Sequence, residues 1–313
     1  MINKITILAG IMALSAALFV PITKENIALV NEAQAAAKTA EPSVVKGKAP
    51  INGADLYYEI KGKGSPVILI HGTTLDTRMW DDQFDKFAEK YKVIRYDMRG
   101  HGKSSDPVAG VPYSHVEDLN VLMEYLKCDK AALVGLSSGG KVAIAFSLAH
   151  PEKVAALVAA DPVIDGFAYF GNGGFLTRFI KVFGEGRKGN LKGALDLWVA
   201  DPLFAPALRN PDVAKKLKRI VYDHRGFRFL KKDPVFWPKP PSIRRLSHID
   251  KPALVILGEL DIPDINAIAQ IVATQVKDAK LEIIKDCGHM TNMEKPDKFN
   301  QLVLDFMDSQ ITN

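Results

Sequence analysis

The stretch Ala131-Ala132-Leu133-Val134-Gly135-Leu136-Ser137-Ser138-Gly139-Gly140 decides the fold. Ala131 to Leu136 is a short apolar run of the kind a buried strand presents. Lys141 to Ala149 follows with helical spacing of its apolar residues. Between them Gly135, Ser137 and Gly139 are set two apart. A strand that turns directly into a helix forces the central residue into a strained conformation. Side chains two positions before and after it would collide with neighbouring backbone, so glycine is needed there. The helix N-terminus just beyond supplies free N–H groups and positive dipole. Ser138 lacks the preceding glycine, because Leu136 stands two residues before it. A glycine-rich turn with a chance serine is the plainer reading, and the strand and helix flanks argue against it.

Outward from this turn, strand and helix patterns alternate. Ala54 to Ile60 has the alternation of an exposed edge strand, and Val67 to Ile70 reads as a buried strand. Met79 to Lys90 has helical spacing, Val93 to Tyr96 is strand-like, and Val116 to Leu126 carries a helix face. Val154 to Ala160, Ala253 to Leu257 and Leu281 to Ile284 are further strands. Ile265 to Val276 and Phe299 to Met307 are helical. This alternation predicts an α/β fold, a mostly parallel sheet with helices on both faces. One long segment, Ile164 to Ser247, shows helical patterns and no convincing strand. It is expected as an insertion on the sheet, not a second domain.

A serine hydroxyl needs a base, and the base needs a carboxylate to orient it. Of seven histidines, His289 alone lies in a loop after the last strand, preceded by Gly288. His150 and His248 read as surface turn residues, His101 as part of a turn, and His71 as a loop residue before Gly72. His115 and His224 sit in helical, polar contexts. For the acid, Asp261 follows the strand ending at Leu257 and is favoured over Asp161, which follows the strand ending at Ala160. Glu259 and Asp264 are also near.

The order Ser137, Asp261, His289 resembles that of the α/β-hydrolase superfamily. The resemblance extends through His71-Gly72-Thr73, Asp97-Met98-Arg99-Gly100-His101-Gly102-Lys103-Ser104 and Gly258 to Asp261. It continues in Gly288-His289, Asn292, Glu294-Lys295-Pro296 and Phe299-Asn300. The chain is similar to the branch of serine esterases, non-haem haloperoxidase-like enzymes and enol-lactonases. The resemblance implies an α/β-hydrolase fold with a helical lid inserted after the sixth strand, at about residues 162–247. It also implies an oxyanion hole made of the backbone N–H groups of Thr73 and Ser138. Members with an aspartate nucleophile are set aside, because position 137 is serine. Many members of the branch carry methionine after the nucleophile. Ser138 departs from this and should make the pocket floor smaller and more polar.

The expected activity is cleavage of a carboxylic ester through an acyl-enzyme, on a small-molecule substrate. A lactone is the close alternative, and peracid chemistry would use the same residues. No metal or organic cofactor is implied. A ligand-binding receptor on the same fold is the non-enzymatic alternative, and such proteins often lose a member of the triad.

The chain has 313 residues, 47% hydrophobic and 25% charged, which excludes a disulfide-stapled mini-domain or a disordered tail. Its two cysteines, Cys128 and Cys287, are too few for a disulfide framework or zinc finger and should lie at opposite sheet edges as free thiols. Lys4 followed by the uncharged Ile5 to Val20 describes a secretory signal. The run is 16 residues, short of the roughly 20 that span a bilayer. Ala33-Gln34-Ala35 is the best cleavage site, giving residues 1–35 as signal, 36–46 as linker and 47–313 as the hydrolase domain. An uncleaved N-terminal anchor is the alternative. Export to the cell envelope or beyond follows, without stable membrane insertion.

The net charge of +5 does not call for nucleic acid. It is unevenly placed. Ile164 to Ser247 holds 17 Lys and Arg against 7 Asp and Glu. These are either solvated helix faces or a field that attracts an anionic substrate or surface.

Overall fold

The computed structural model describes residues 43–169 and 174–311. The expected signal, most of the linker and Phe170 lie outside them. Among the described residues, no helix is long and apolar enough to cross a membrane.

The turn quoted above sits at the centre of an eight-stranded sheet. Its strands are β1 (Val45–Ile51), β2 (Ala54–Lys61), β3 (Pro66–Ile70) and β4 (Lys92–Tyr96). They continue with β5 (Ala131–Leu136), β6 (Val154–Ala160), β7 (Ala253–Gly258) and β8 (Ala279–Ile284). The spatial order is β1-β2-β4-β3-β5-β6-β7-β8. Strands β3 to β8 run parallel, while β2 is antiparallel to both β1 and β4. Every residue of β5 and β7 is buried, which is why both read as unbroken apolar runs.

Two sequence expectations need correction. Val45 and Lys46, assigned to the linker, already pair with Ile60 and Glu59. Strand β2 is not an edge, because β1 covers its outer side. The polar positions that suggested a wet face are instead buried and paired, Glu59 with Arg95 and Lys61 with Asp85.

The helices are α1 (Asp81–Ala88), α2 (His115–Tyr125) and α3 (Ser138–Ala149) before β6. Between β6 and β7 lie α4 (Phe175–Arg187), α5 (Leu191–Val199), α6 (Pro211–Tyr222) and the one-turn α7 (Phe227–Leu230). After β7 come α8 (Pro263–Gln275), the one-turn α9 (Thr291–Glu294) and α10 (Pro296–Gln310). Helix α3 starts at Ser138, earlier than its apolar pattern suggested. Gly139 and Gly140 are poor helix formers, and they hide the first turn from a periodicity argument.

Among the described residues, the segment between β6 and β7 forms no strand of the sheet; Val235 makes one isolated bridge to Tyr113. Its own core is aromatic. Phe175 and Phe179 stack at 5.4 Å, Phe179 lies 5.2 Å from Trp198, and Trp198 meets Phe204 edge-on at 5.2 Å. Trp198 also donates its indole N–H to Thr74 Oγ1 at 2.7 Å, which ties the insertion to the loop after β3. Arg225 holds the carbonyls of Gly102 and Ser104 and the Asp106 carboxylate.

Candidate active site

The strand-to-helix turn has the strain its glycines imply. Ser137 has φ 58° and ψ −116°, outside the regions ordinary residues prefer. A Cβ on Gly135 would lie 2.3 Å from the Gly139 carbonyl oxygen, and one on Gly139 would lie 2.0 Å from that of Ile70. Both contacts are with backbone, so neither can be relieved by a side-chain move. Ser137 N–H donates to Ala160 O at 2.9 Å, and Val163 N–H to Ser137 O at 3.2 Å, which fixes the turn against the end of β6.

Asp261 sits in the loop after β7. Its Oδ1 accepts the Ile262 N–H at 2.7 Å. Its Oδ2 lies 2.7 Å from Nδ1 of His289, and both residues are buried. This bond puts the proton of a neutral His289 on Nδ1 and leaves Nε2 as the basic nitrogen. Nε2 is buried and has no protein partner among the described residues.

Ser137 and His289 line one small cavity with Gly72, Thr73, Leu75, Leu136 and Met290 of the body. Trp198, Leu203 and Phe204 of the insertion complete it. The cavity measures about 10 Å³, room for roughly one water. Thr73 is therefore in the same space as Ser137, and Ser138 opens α3, where N–H groups lack intrahelical acceptors. Of the insertion's aromatics, Trp198 and Phe204 reach the cavity, and Phe175 packs behind Trp198. Phe167 and Tyr169 pack on each other, Phe236 is exposed, and Trp237 lies under the Lys141 ammonium at 3.7 Å.

Asp161 does not bond to His289. Its Oδ1 accepts the Gly258 N–H at 2.8 Å, and its Oδ2 shares a 2.6 Å hydrogen bond with the Thr291 hydroxyl. Glu259 instead accepts the Asp286 N–H. Among the described residues, Asp161, Asp261 and His289 are the only three side chains grouped closely enough to hold a metal ion. A cation there would have to displace the Asp261–His289 hydrogen bond.

The structure adds a feature that the sequence did not reveal. His71, His101 and His224 are buried and pack in a row, with ring centroids 4.9 Å apart at each step and ring planes tilted by 56° and 39°. His71 accepts the Met98 N–H on Nε2 at 2.9 Å, so its proton is on Nδ1, 2.8 Å from Gly72 O. Burial lowers the affinity of all three for a proton; His101 falls well below the usual imidazole range and His224 to about 4. His115, buried against Tyr113 and Trp237, is lowered to about 3 by burial and the nearby Arg228 charge. His224 comes from the insertion, after α6, and no local pattern could place it against His101. His150 stays half-buried beside Glu117, as its turn position suggested.

Comparison with known proteins agrees with this architecture. Residues 65–296 match the alpha/beta hydrolase fold family. A 2-hydroxy-6-oxononadienedioate/2-hydroxy-6-oxononatrienedioate hydrolase of Klebsiella pneumoniae is 30% identical over 257 residues, covering 77% of this chain and 86% of that protein. A solved structure described as an N-acyl homoserine lactone degrading enzyme is 27% identical, with a TM-score of 0.64 and coverage of 83% and 100%. The enol-lactonase from Burkholderia xenovorans LB400 has the same fold, with a TM-score of 0.73 at 24% identity and coverage of 84% and 100%. With the family match spanning most of the chain, this protein belongs to the alpha/beta hydrolase family.

Proposed function

We propose that the chain is a serine hydrolase that cleaves carboxylic esters through an acyl-enzyme. The carrying observation is His289, bonded to Asp261 on one ring nitrogen, with no partner for the other among the described residues, and lining the same cavity as Ser137. In this reading His289 Nε2 takes the Ser137 hydroxyl proton as Oγ attacks the ester carbonyl. The oxyanion is held by the N–H groups of Thr73 and Ser138. The intermediate collapses as His289 passes the proton to the leaving alkoxide. Water, deprotonated by the same nitrogen, then releases the acid. Asp261 orients the ring and stabilises its charged form. Loss of one oxyanion donor ordinarily costs about 10²–10³ in rate.

A lactone is the second reading, supported by the lactone-degrading relative at 27% identity. The same proton path opens a ring ester. A panel of p-nitrophenyl esters of graded chain length, run beside several lactones, separates the two.

The insertion acts as a lid in this reading. Trp198, Leu203 and Phe204 close over Ser137, and a cavity of about 10 Å³ admits no ester until they move. The insertion is also basic, and Lys141 beneath it is desolvated, its ammonium lowered to about 8 by burial. Arg228 and Lys239 lie near Lys141 and Asp165 opposes them. That surplus supports attraction of an anionic ester. Export rests on the N-terminal signal and is tested by N-terminal sequencing of the mature protein from the cell envelope or medium.

A further inference from the structure

Asp161 is fully buried at the end of β6, and it bonds beside the two loops that carry Asp261 and His289. Its carboxyl receives Gly258, which closes β7 just before Asp261, and meets Thr291, which opens α9 just after His289. Its own N–H donates to Ile256 O at 2.8 Å, and the preceding carbonyl, Ala160 O, accepts the Ser137 N–H. Its φ of 43° lies in the left-handed region, a conformation that persists only when the surroundings impose it.

This carboxyl also stands close to the acid of the site. One ligand atom each of Asp161, Asp261 and His289 lies within 4.8 Å of the others. Two carboxylates that close in a dry interior do not both ionise readily. Asp261 has the His289 ring and the Ile262 N–H to support a charge. Asp161 has one N–H and one neutral hydroxyl.

We propose that Asp161 is a positioning residue: a neutral carboxylic acid that braces the Asp261 and His289 loops, and a reserve partner for His289 when Asp261 is removed. The proposal rests on the serine-hydrolase reading. Burial, followed by the charge of Asp261, pushes the Asp161 carboxyl well above its ordinary range. With Asp261 gone that opposition disappears. Asp161 then releases its proton to solvent, and the single negative charge of the pair passes to it, still near the imidazole.

The test is a set of variants read by kcat, KM and pH profile. D161A removes the brace and should lower kcat about 10²-fold, the scale of a misplaced catalytic group, with KM little changed. D161N keeps the shape, one acceptor and one donor, and should recover most of that loss. It should also leave the acidic limb of the kcat/KM profile in place. A limb moved to lower pH in D161N means that Asp161 carries charge, and a D161A enzyme equal to wild type means that it braces nothing. Either result overturns the positioning role. D161N/D261A should be at least about tenfold slower than D261A. Equal rates overturn the reserve role. Fluorophosphonate labelling of the wild type is run alongside. Unlabelled protein rejects the serine-hydrolase reading itself, whereas labelled protein with a flat Asp161 series rejects only this proposal.

Discussion

Two regions of this molecule bury histidine, and they treat it in opposite ways. At His289 a carboxylate meets one ring nitrogen, the other has no partner among the described residues, and the side chain lines a cavity with Ser137. In the row of His71, His101 and His224, each ring faces other rings, and burial holds all three neutral. The lesson is that burial alone does not make a base. A buried imidazole without a carboxylate partner loses its affinity for protons and serves as flat packing. One with such a partner can accept a proton during a reaction, because the charge it gains is already matched.

The largest expected effect tests the difference directly. On the proposed mechanism, His289→Gln should lower kcat by about 10⁴-fold or more while the protein stays folded by circular dichroism. His224→Gln should leave kcat near wild type. Similar losses from the two variants would erase the distinction drawn here.

The next effect is on stability. His224 and His115 have folded values lowered from 6.5 to about 4 and about 3. The unfolded chain therefore binds their protons first as pH falls. Their neutral forms are accommodated fully above pH 6.5, and stability is lost as pH drops through that window toward 4. For His224 the loss by pH 4 should be roughly 3 kcal/mol. Urea titrations from pH 7 to 4 should show this decline, and His224→Gln should flatten part of it. A variant as acid-sensitive as wild type would remove the row from the account.

These two regions also differ in how legible they were. The Ser137 turn, the buried runs of β5 and β7, and the Asp261 and His289 loops could be read because each is written in a few adjacent residues. Gly135 and Gly139 announce a backbone collision that any such turn must avoid. The histidine row could not be read. His71, His101 and His224 belong to three loops far apart in sequence, and only the fold brings them together. Asp161 was weighed as a rival to Asp261, and its bonds to Gly258 and Thr291 depend on how β6, β7 and α9 meet. Strand β2 shows the remaining weakness. Its alternation suggested an exposed edge, but Tyr57, Glu59 and Lys61 are buried and β1 covers its outer side.

A smaller effect concerns the join between insertion and body. Trp198→Phe removes the indole donor to Thr74 and should cost about 1 kcal/mol in urea denaturation. Unchanged stability would mean that the aromatic cluster alone holds the insertion. The smallest effect is electrostatic. Raising salt from 50 to 500 mM should slow hydrolysis of an anionic ester by about threefold more than that of a neutral ester. Equal salt dependence would assign the basic residues to solvated surface.

The most direct test of the central claim is mass spectrometry after treatment with a fluorophosphonate. The account predicts one adduct per chain, located on Ser137, abolished in S137A and strongly slowed in His289→Gln. Folded protein that takes up no probe, or an adduct that persists in S137A, would contradict it.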